Sequence, residues 1–243
     1  MGDGIRKNVC IVGASGGIGM AIARRFQRNG KVSMVLLDVP GPRLTSIAKE
    51  TGTPAIALDL RDVAAIAPTV ARAKAMMPRL DHLILTSGIV ENRRMHEMTP
   101  AIWQDILAVN VTGIFFLCQS ADDWIADGGR VVTFGSRAGR SPGPVTGPAY
   151  AVSKAAIENL TRYLALQWAS RRITVNCIAP GPVDTPMLDA HPKDRMAALV
   201  EAVPFKRLAT ADEIAALVAY LVSDDAAYMT GAVLPINGGL AMP

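Results

Sequence analysis

The chain has little of what metal centres and disulfide frameworks are built from. Among 243 residues there are three cysteines and three histidines. Cys10, Cys118 and Cys177 lie far apart, each in an apolar run, and no Cys-x-x-Cys pair occurs. They read as buried thiols, and no zinc site or disulfide scaffold is expected. His82, His96 and His191 have no acid or cysteine at a spacing that makes a triad or a metal site. His96 and His191 follow strand ends, so they either line a cleft or stand as exposed loop residues. Charge is sparse at 19% and the formal net charge is +4, with basic residues scattered in pairs such as Arg93-Arg94. A nucleic-acid footprint needs a clustered stripe, so no nucleic-acid partner is expected. The first residues lack a signal-peptide pattern, and Arg6 stands where a myristoylation signal needs Ser or Thr. The longest apolar helical run, "IAALVAYLV" at 214–222, is too short to span a bilayer. The expectation is a cytoplasmic protein with no membrane partner.

Half the residues are hydrophobic, ample for one large core. Short apolar runs alternate with helical patterns. "NVCIVG", "KVSMVLLD", "TPAIALD", "DHLILTSG", "RVVTFGS", "ITVNCIAPG" and "GAVLPING" read as strands. Between them lie helical stretches, the longest being "TPAIWQDILAVNVTGIFFLCQSADDWIADGG" at 99–129. The strands are apolar without alternation, which marks burial on both faces, as in a parallel sheet. The expected fold class is therefore α/β: a single-domain, Rossmann-like, doubly wound parallel β-sheet flanked by helices on both faces, spanning 1–243. The segment at about 186–205 follows a strand end and is expected to be a substrate lid.

"GASGGIG" lies between the first strand and the first helix and contains Gly13, Ser15, Gly16, Gly17, Ile18 and Gly19. Glycines there let the backbone approach a pyrophosphate, and the helix N-terminus offers free N–H groups. Asp38 ends the second strand, 19 residues beyond Gly19. A carboxylate at that point accepts both hydroxyls of an adenosine ribose and repels a 2′-phosphate. Gly16 brings no basic residue for such a phosphate. NAD(H) is preferred on these grounds; Arg43 lies nearby, and NADP(H) stays open.

"YAVSK" places Tyr150 and Lys154 at i and i+4, one above the other on a helix. By spacing alone this is either an ordinary packed pair or an acid–base device.

With these motifs together, the chain resembles the short-chain dehydrogenase/reductase family over essentially its whole length. Asp59-Leu60 matches the adenine-contacting position. "LTSG" stands where Asn-Asn-Ala-Gly is usual and keeps only Gly88, which implies weakened side-chain support of the sheet. Asn110, Ser136, Tyr150 and Lys154 match the catalytic tetrad. "PGPVDT", with Pro180, Gly181, Val183 and Thr185, resembles the segment that holds the nicotinamide. Ser136 and Tyr150 are 14 residues apart, about one more than is common; the proline-rich loop between them is expected to reshape the substrate wall.

The resemblance implies interconversion of a secondary alcohol and a ketone. Tyr150 would move the proton, its pKa lowered by Lys154 and the oxidised nicotinamide. Ser136 would orient the substrate oxygen. Asn110 would hold a water that links Lys154 to solvent, and Lys154 would hold the nicotinamide ribose. An apolar lid favours an uncharged substrate, although Lys193 or Arg195 could meet a carboxylate or a thioester tail. Two other readings stand beside it: an NADPH-dependent 3-oxoacyl reductase and a nucleotide-sensing binding protein without turnover. Apolar faces on the helices around 101–125 and 150–170 exceed what a sheet contact needs, and with the resemblance they point to a homotetramer.

Overall fold

Seven parallel strands form one sheet in the order β3-β2-β1-β4-β5-β6-β7. The computed structural model describes residues 6–141, 146–188 and 193–242. The strands are β1 (Lys7–Val12), β2 (Val32–Asp38), β3 (Ala55–Ala57), β4 (Leu80–Leu85), β5 (Ile125–Phe134), β6 (Thr174–Pro180) and β7 (Val233–Ile236). The helices are α1 (Gly17–Asn29), α2 (Pro42–Thr51), α3 (Val63–Met76), α4 (Pro100–Leu107), α5 (Gly113–Ser120), α6 (Arg137–Arg140), α7 (Pro148–Gln167), α8 (Lys193–Ala202) and α9 (Ala211–Leu221).

All six residues of β4 and all seven of β6 are buried, the burial on both faces that unbroken apolar runs imply. Two cores result. One packs Ile66, Leu117, Ile157 and Leu164 against one face of the sheet. The other packs Ile22, Phe26, Ile47, Ile214 and Val218 against the opposite face. The doubly wound α/β expectation is met.

Strand order reverses between β1 and β4, which pair in parallel from Val9↔His82 to Val12↔Leu85. The connections after these two strands leave in opposite directions, and a cleft opens at their C-terminal ends. Every glycine-loop residue and the tetrad sit at that edge.

The helix expected over 99–129 is shorter and interrupted. It runs as α4, a π turn (Ala108–Thr112) and α5, and it stops at Ser120. The chain then turns, because Trp124 is drawn into the core. Its indole donates to the Met77 carbonyl at 2.6 Å, and its own carbonyl accepts from Leu80 N at 3.1 Å. Strand β5 therefore begins at Ile125, with a register shift against β4 between Leu80 and His82.

The same stretch corrects the expectation about apolar length. Pro100–Ser120 has 21 residues with mean hydropathy 1.6, long and apolar enough to cross a membrane by composition. In this fold it is a packed helix, with Ile114, Leu117 and Cys118 in the core. All three cysteines are buried, and burial pushes the Cys118 thiol up to about 12.

His82 is buried in the middle of β4, with Nδ1 unpartnered among the described residues. Burial lowers its pKa from 6.5 to about 4. As pH falls, the unfolded chain therefore takes up this proton first. Stability is unaffected above about pH 6.5 and is lost as pH falls towards 4, by up to ~3 kcal/mol. In urea titrations from pH 7 to 4, a His82→Leu variant is expected to lose less stability than the parent chain. Equal losses would remove His82 as the cause.

Candidate active site

The glycine loop is built by close approach. Gly13 has φ of 85°, and a Cβ there would meet Ser87 N at 2.5 Å. A Cβ on Gly19 would fall 2.2 Å from the Gly13 carbonyl, so helix α1 can start against its own strand only with glycine at that position. On the other side, Gly17 lies under Thr185, whose Cγ2 would stand 2.6 Å from an added Cβ.

Thr86 corrects the expectation that "LTSG" weakens this edge. Its hydroxyl lies 2.9 Å from the Val12 carbonyl and 3.0 Å from the Gly13 carbonyl, and its N–H donates to Val12 at 2.8 Å. A threonine thus ties the end of β4 to the glycine loop.

A cavity of ≈ 390 Å³ follows the loop, and Asp38, Arg43, Asp59, Leu60 and Gly88 also line it. Asp38 is fixed before any ligand arrives. Its Oδ2 accepts from Ser15 N at 2.8 Å and Ser15 Oγ at 2.6 Å, and its Oδ1 accepts from Val39 N at 2.8 Å. Arg43 reaches across the same mouth and donates from Nε to the Ser15 carbonyl at 2.9 Å. Asp59 Oδ1 accepts from Arg61 N at 2.9 Å, and Arg61 continues to Asp105. An acidic and a basic side chain therefore both face the place where an adenosine ribose would sit. The narrow glycine turn, the free helix N-terminus and these donors and acceptors fit a dinucleotide.

A second cavity of ≈ 150 Å³ adjoins the first. Ser136, Tyr150, Lys154, Pro180, Gly181, Val183 and Thr185 line it together, and Ile18, Thr86, Gly88, Thr185 and Met187 are shared with the larger one. Tyr150 and Ser136 both line it, and the Ser136 hydroxyl is near enough to offset in part the rise that burial imposes on the phenol. Ser136 Oγ also accepts from Ala138 N at 3.1 Å, which caps the short helix α6. Val183 makes a bridge to Ala209, and Thr185 Oγ1 donates to the Val183 carbonyl at 3.3 Å.

Lys154 is buried, its Nζ donates to the Phe134 carbonyl at 2.9 Å, and it lies 5.7 Å from the Tyr150 ring centroid. Burial lowers its pKa to about 8. The expected lowering of Tyr150 by Lys154 is not found in the protein alone. Burial raises the phenol and the Ser136 hydroxyl only partly opposes it, because the ammonium is turned to a strand carbonyl. Asn110 is held by protein groups. It sits in the π turn, where Nδ2 donates to the Ile89 carbonyl at 2.9 Å and to Ser153 Oγ at 3.0 Å, while Oδ1 accepts from Ile89 N at 2.8 Å. Its side chain clamps the loop after β4 to α7. Of the histidines, His96 is exposed and lines neither cavity, while His191 lies outside the described residues.

Two carboxylates were missed by sequence reasoning. Helix α7 starts at Pro148, which has no N–H, and its N-cap is Gly147, which has no side chain. The buried Glu91 supplies the cap from the loop after β4. Its Oε1 accepts from Ala149 N at 3.1 Å and from Tyr150 N at 3.3 Å, and its Oε2 accepts from Arg93 N at 2.8 Å. No Cβ fits at Gly147, because the Glu91 oxygens would stand 1.9 and 2.0 Å from it. Glu158, one turn beyond Lys154, is buried and accepts from Arg140 Nε at 2.8 Å. That pair ties the segment after Ser136 to the helix of Tyr150. The available signal was the placement: an acid four residues past Lys154, and another three past Gly88.

Comparison with known proteins agrees with this geometry. A family model described as enoyl-(acyl carrier protein) reductase matches residues 13–241. Oxidoreductase UcpA of Salmonella typhimurium is 34% identical, covering 100% of this chain and 97% of its own. The 3-oxoacyl-[acyl-carrier-protein] reductase FabG of Escherichia coli is 34% identical, covering 97% and 98%. The crystal structure of a blue fluorescent protein from a metagenomic library, in complex with NADPH, superposes with a TM-score of 0.90 at 31% identity, covering 98% and 99%.

Glu91→Ala leaves three backbone N–H groups without their acceptor and is expected to cost about 1–3 kcal/mol. At this chain length that lowers Tm by several degrees. Glu91→Gln keeps Oε1 and is expected to recover part of the loss. A Tm unchanged in both variants would contradict the capping role.

Proposed function

This chain belongs to the short-chain dehydrogenase/reductase family, and from that premise we propose that it is an NAD(H)-dependent oxidoreductase interconverting a secondary alcohol and a ketone. The observation that carries the reading is the shared boundary of the two cavities, with Ser136, Tyr150 and Lys154 on the smaller one and the glycine loop and Asp38 on the larger. Gly13, Ser15, Gly16, Gly17, Ile18 and Gly19 would hold the pyrophosphate. Asp38 would hold the adenosine ribose, with Asp59 and Leu60 at the adenine and Gly88 beside the nicotinamide ribose. Pro180, Gly181, Val183 and Thr185 would border the nicotinamide. The nicotinamide, when bound, supplies or accepts the hydride.

The chain's own residues handle the substrate oxygen. Tyr150 gives that oxygen a proton in reduction and takes it back in oxidation. Its raised pKa keeps the phenol protonated near neutral pH, which suits the acid role. Ser136 holds the oxygen against the phenol. Lys154 carries its charge below about pH 8 and would meet the nicotinamide ribose. Asn110 holds the loop bearing Gly88 in place, and a water passing protons near Lys154 is part of the same reading. Met187, Leu188 and Leu199, from the expected lid, line the smaller cavity and make that wall apolar.

Asp38 is what supports NAD(H) over NADP(H). A second reading, an NADPH-dependent 3-oxoacyl reductase, rests on Arg43 at the same mouth. We also propose a cytoplasmic homotetramer, since α7 turns Val152, Tyr163 and Leu166 outward.

A panel of ketones followed by NADH and NADPH absorbance tests the reading. NADH is expected to give the higher kcat/KM, and Asp38→Ala to lower the NADH-to-NADPH ratio at least tenfold (about 1.4 kcal/mol). A parent enzyme that already favours NADPH would overturn the cofactor assignment, and turnover of no ketone with either cofactor would overturn the activity.

A further inference from the structure

The wall of the smaller cavity beside Ser136 is apolar, formed by Val90, Phe134, Ala138, Leu188, Leu199 and Leu240 among others. Among the described residues no aspartate or glutamate lines it, yet Lys154 and Arg137 do. Lys154 is engaged by the Phe134 carbonyl and belongs to the proton-handling group. Arg137 is not part of that group. It follows Ser136 directly, and its one described hydrogen bond runs from Nη1 to the Ser141 carbonyl at 2.6 Å. Among the described residues it makes no salt bridge; the ion pairs of this region go to Arg140 and Glu158. Partial burial pushes its guanidinium below the ordinary value, with no acid opposing the shift. A cation at the edge of a largely apolar wall gains most from an anion brought by the ligand.

We infer that the substrate carries an anionic group apart from its reacting carbon, and that Arg137 receives it through the N–H donors its helix leaves open. The inference rests on the oxidoreductase reading and departs from the uncharged substrate expected from the lid's composition. A guanidinium favours a flat, two-oxygen partner, which suits a carboxylate; a phosphate on a thioester tail offers the same chemistry. A cavity of ≈ 150 Å³ holds a short keto or hydroxy acid.

The test compares 4-oxopentanoate, its methyl ester and acetoacetyl-CoA, with NADH and NADPH, on the parent enzyme and on Arg137→Met and Arg137→Lys. The parent is expected to favour an anionic ketone over the ester at least tenfold in kcat/KM. Arg137→Met is expected to reduce that preference at least tenfold, mainly through KM, and Arg137→Lys to fall between. If acetoacetyl-CoA is the substrate whose preference collapses, the anion is the phosphate; if 4-oxopentanoate, the carboxylate. Either supports the role of Arg137. A parent without preference, a preference that survives Arg137→Met, or equal losses on charged and neutral ketones would overturn it.

A second arm does not depend on turnover: thermal shift of the NADH-loaded enzyme with pentanoate against 1-pentanol. Stabilisation by pentanoate that Arg137→Met abolishes supports the anion site even if the ketone panel is inactive, which would then count against the activity alone. No shift with pentanoate, together with no phosphate-dependent preference, removes the site.

Discussion

The parallel pairing of β1 with β4 is the constraint on which the rest depends. The two strands lie side by side, but the chain leaves them towards opposite faces, and the gap so made holds both cavities. A gap of this kind exposes strand ends unless something ties them. Here the tie is the Thr86 hydroxyl against the Val12 and Gly13 carbonyls, together with the lack of any side chain at Gly13 and Gly19. Loosening it would move the glycine loop and the Gly88 loop apart, and with them the two ends of any dinucleotide laid across the edge.

The loop after β4 then reaches sideways to the helix that carries Tyr150 and Lys154. It does so twice. Asn110 binds both polar groups of Ile89 and the Ser153 hydroxyl, and Glu91 caps the first turn of α7 at Tyr150 itself. The Glu158–Arg140 pair makes a third link, from the same helix to the segment that follows Ser136. The proton-handling side chains are thus placed by polar contacts from three different connections, all of them at least partly buried. Buried polar contacts of this kind are costly to leave half made, so they favour one arrangement of the site.

Much of this was legible in the sequence because period and spacing are local. Unbroken apolar runs identified the parallel strands, and the glycine loop, Asp38 and the Tyr150–Lys154 spacing marked the site edge. What was not legible depends on partners distant in sequence. Glu91 looks like a loop acid until α7, some 58 residues on, is seen to begin with proline and glycine. Thr86 looked like an eroded motif, since a hydroxyl can replace an amide only if the carbonyls lie within reach. The end of the fourth-unit helix was missed because Trp124 answers to Met77 rather than to its own helix neighbours. Spacing brings Lys154 near Tyr150, but only the fold shows that its ammonium faces the Phe134 carbonyl.

The account turns on Tyr150 as the group that exchanges a proton with the substrate oxygen. The most direct measurement is turnover by Tyr150→Phe on the best ketone found, with NADH binding followed separately by fluorescence. Removing a positioned acid is predicted to lower kcat by about 10²–10⁴-fold while cofactor affinity stays within a few fold. Turnover near the parent value, with the cofactor bound, would contradict it.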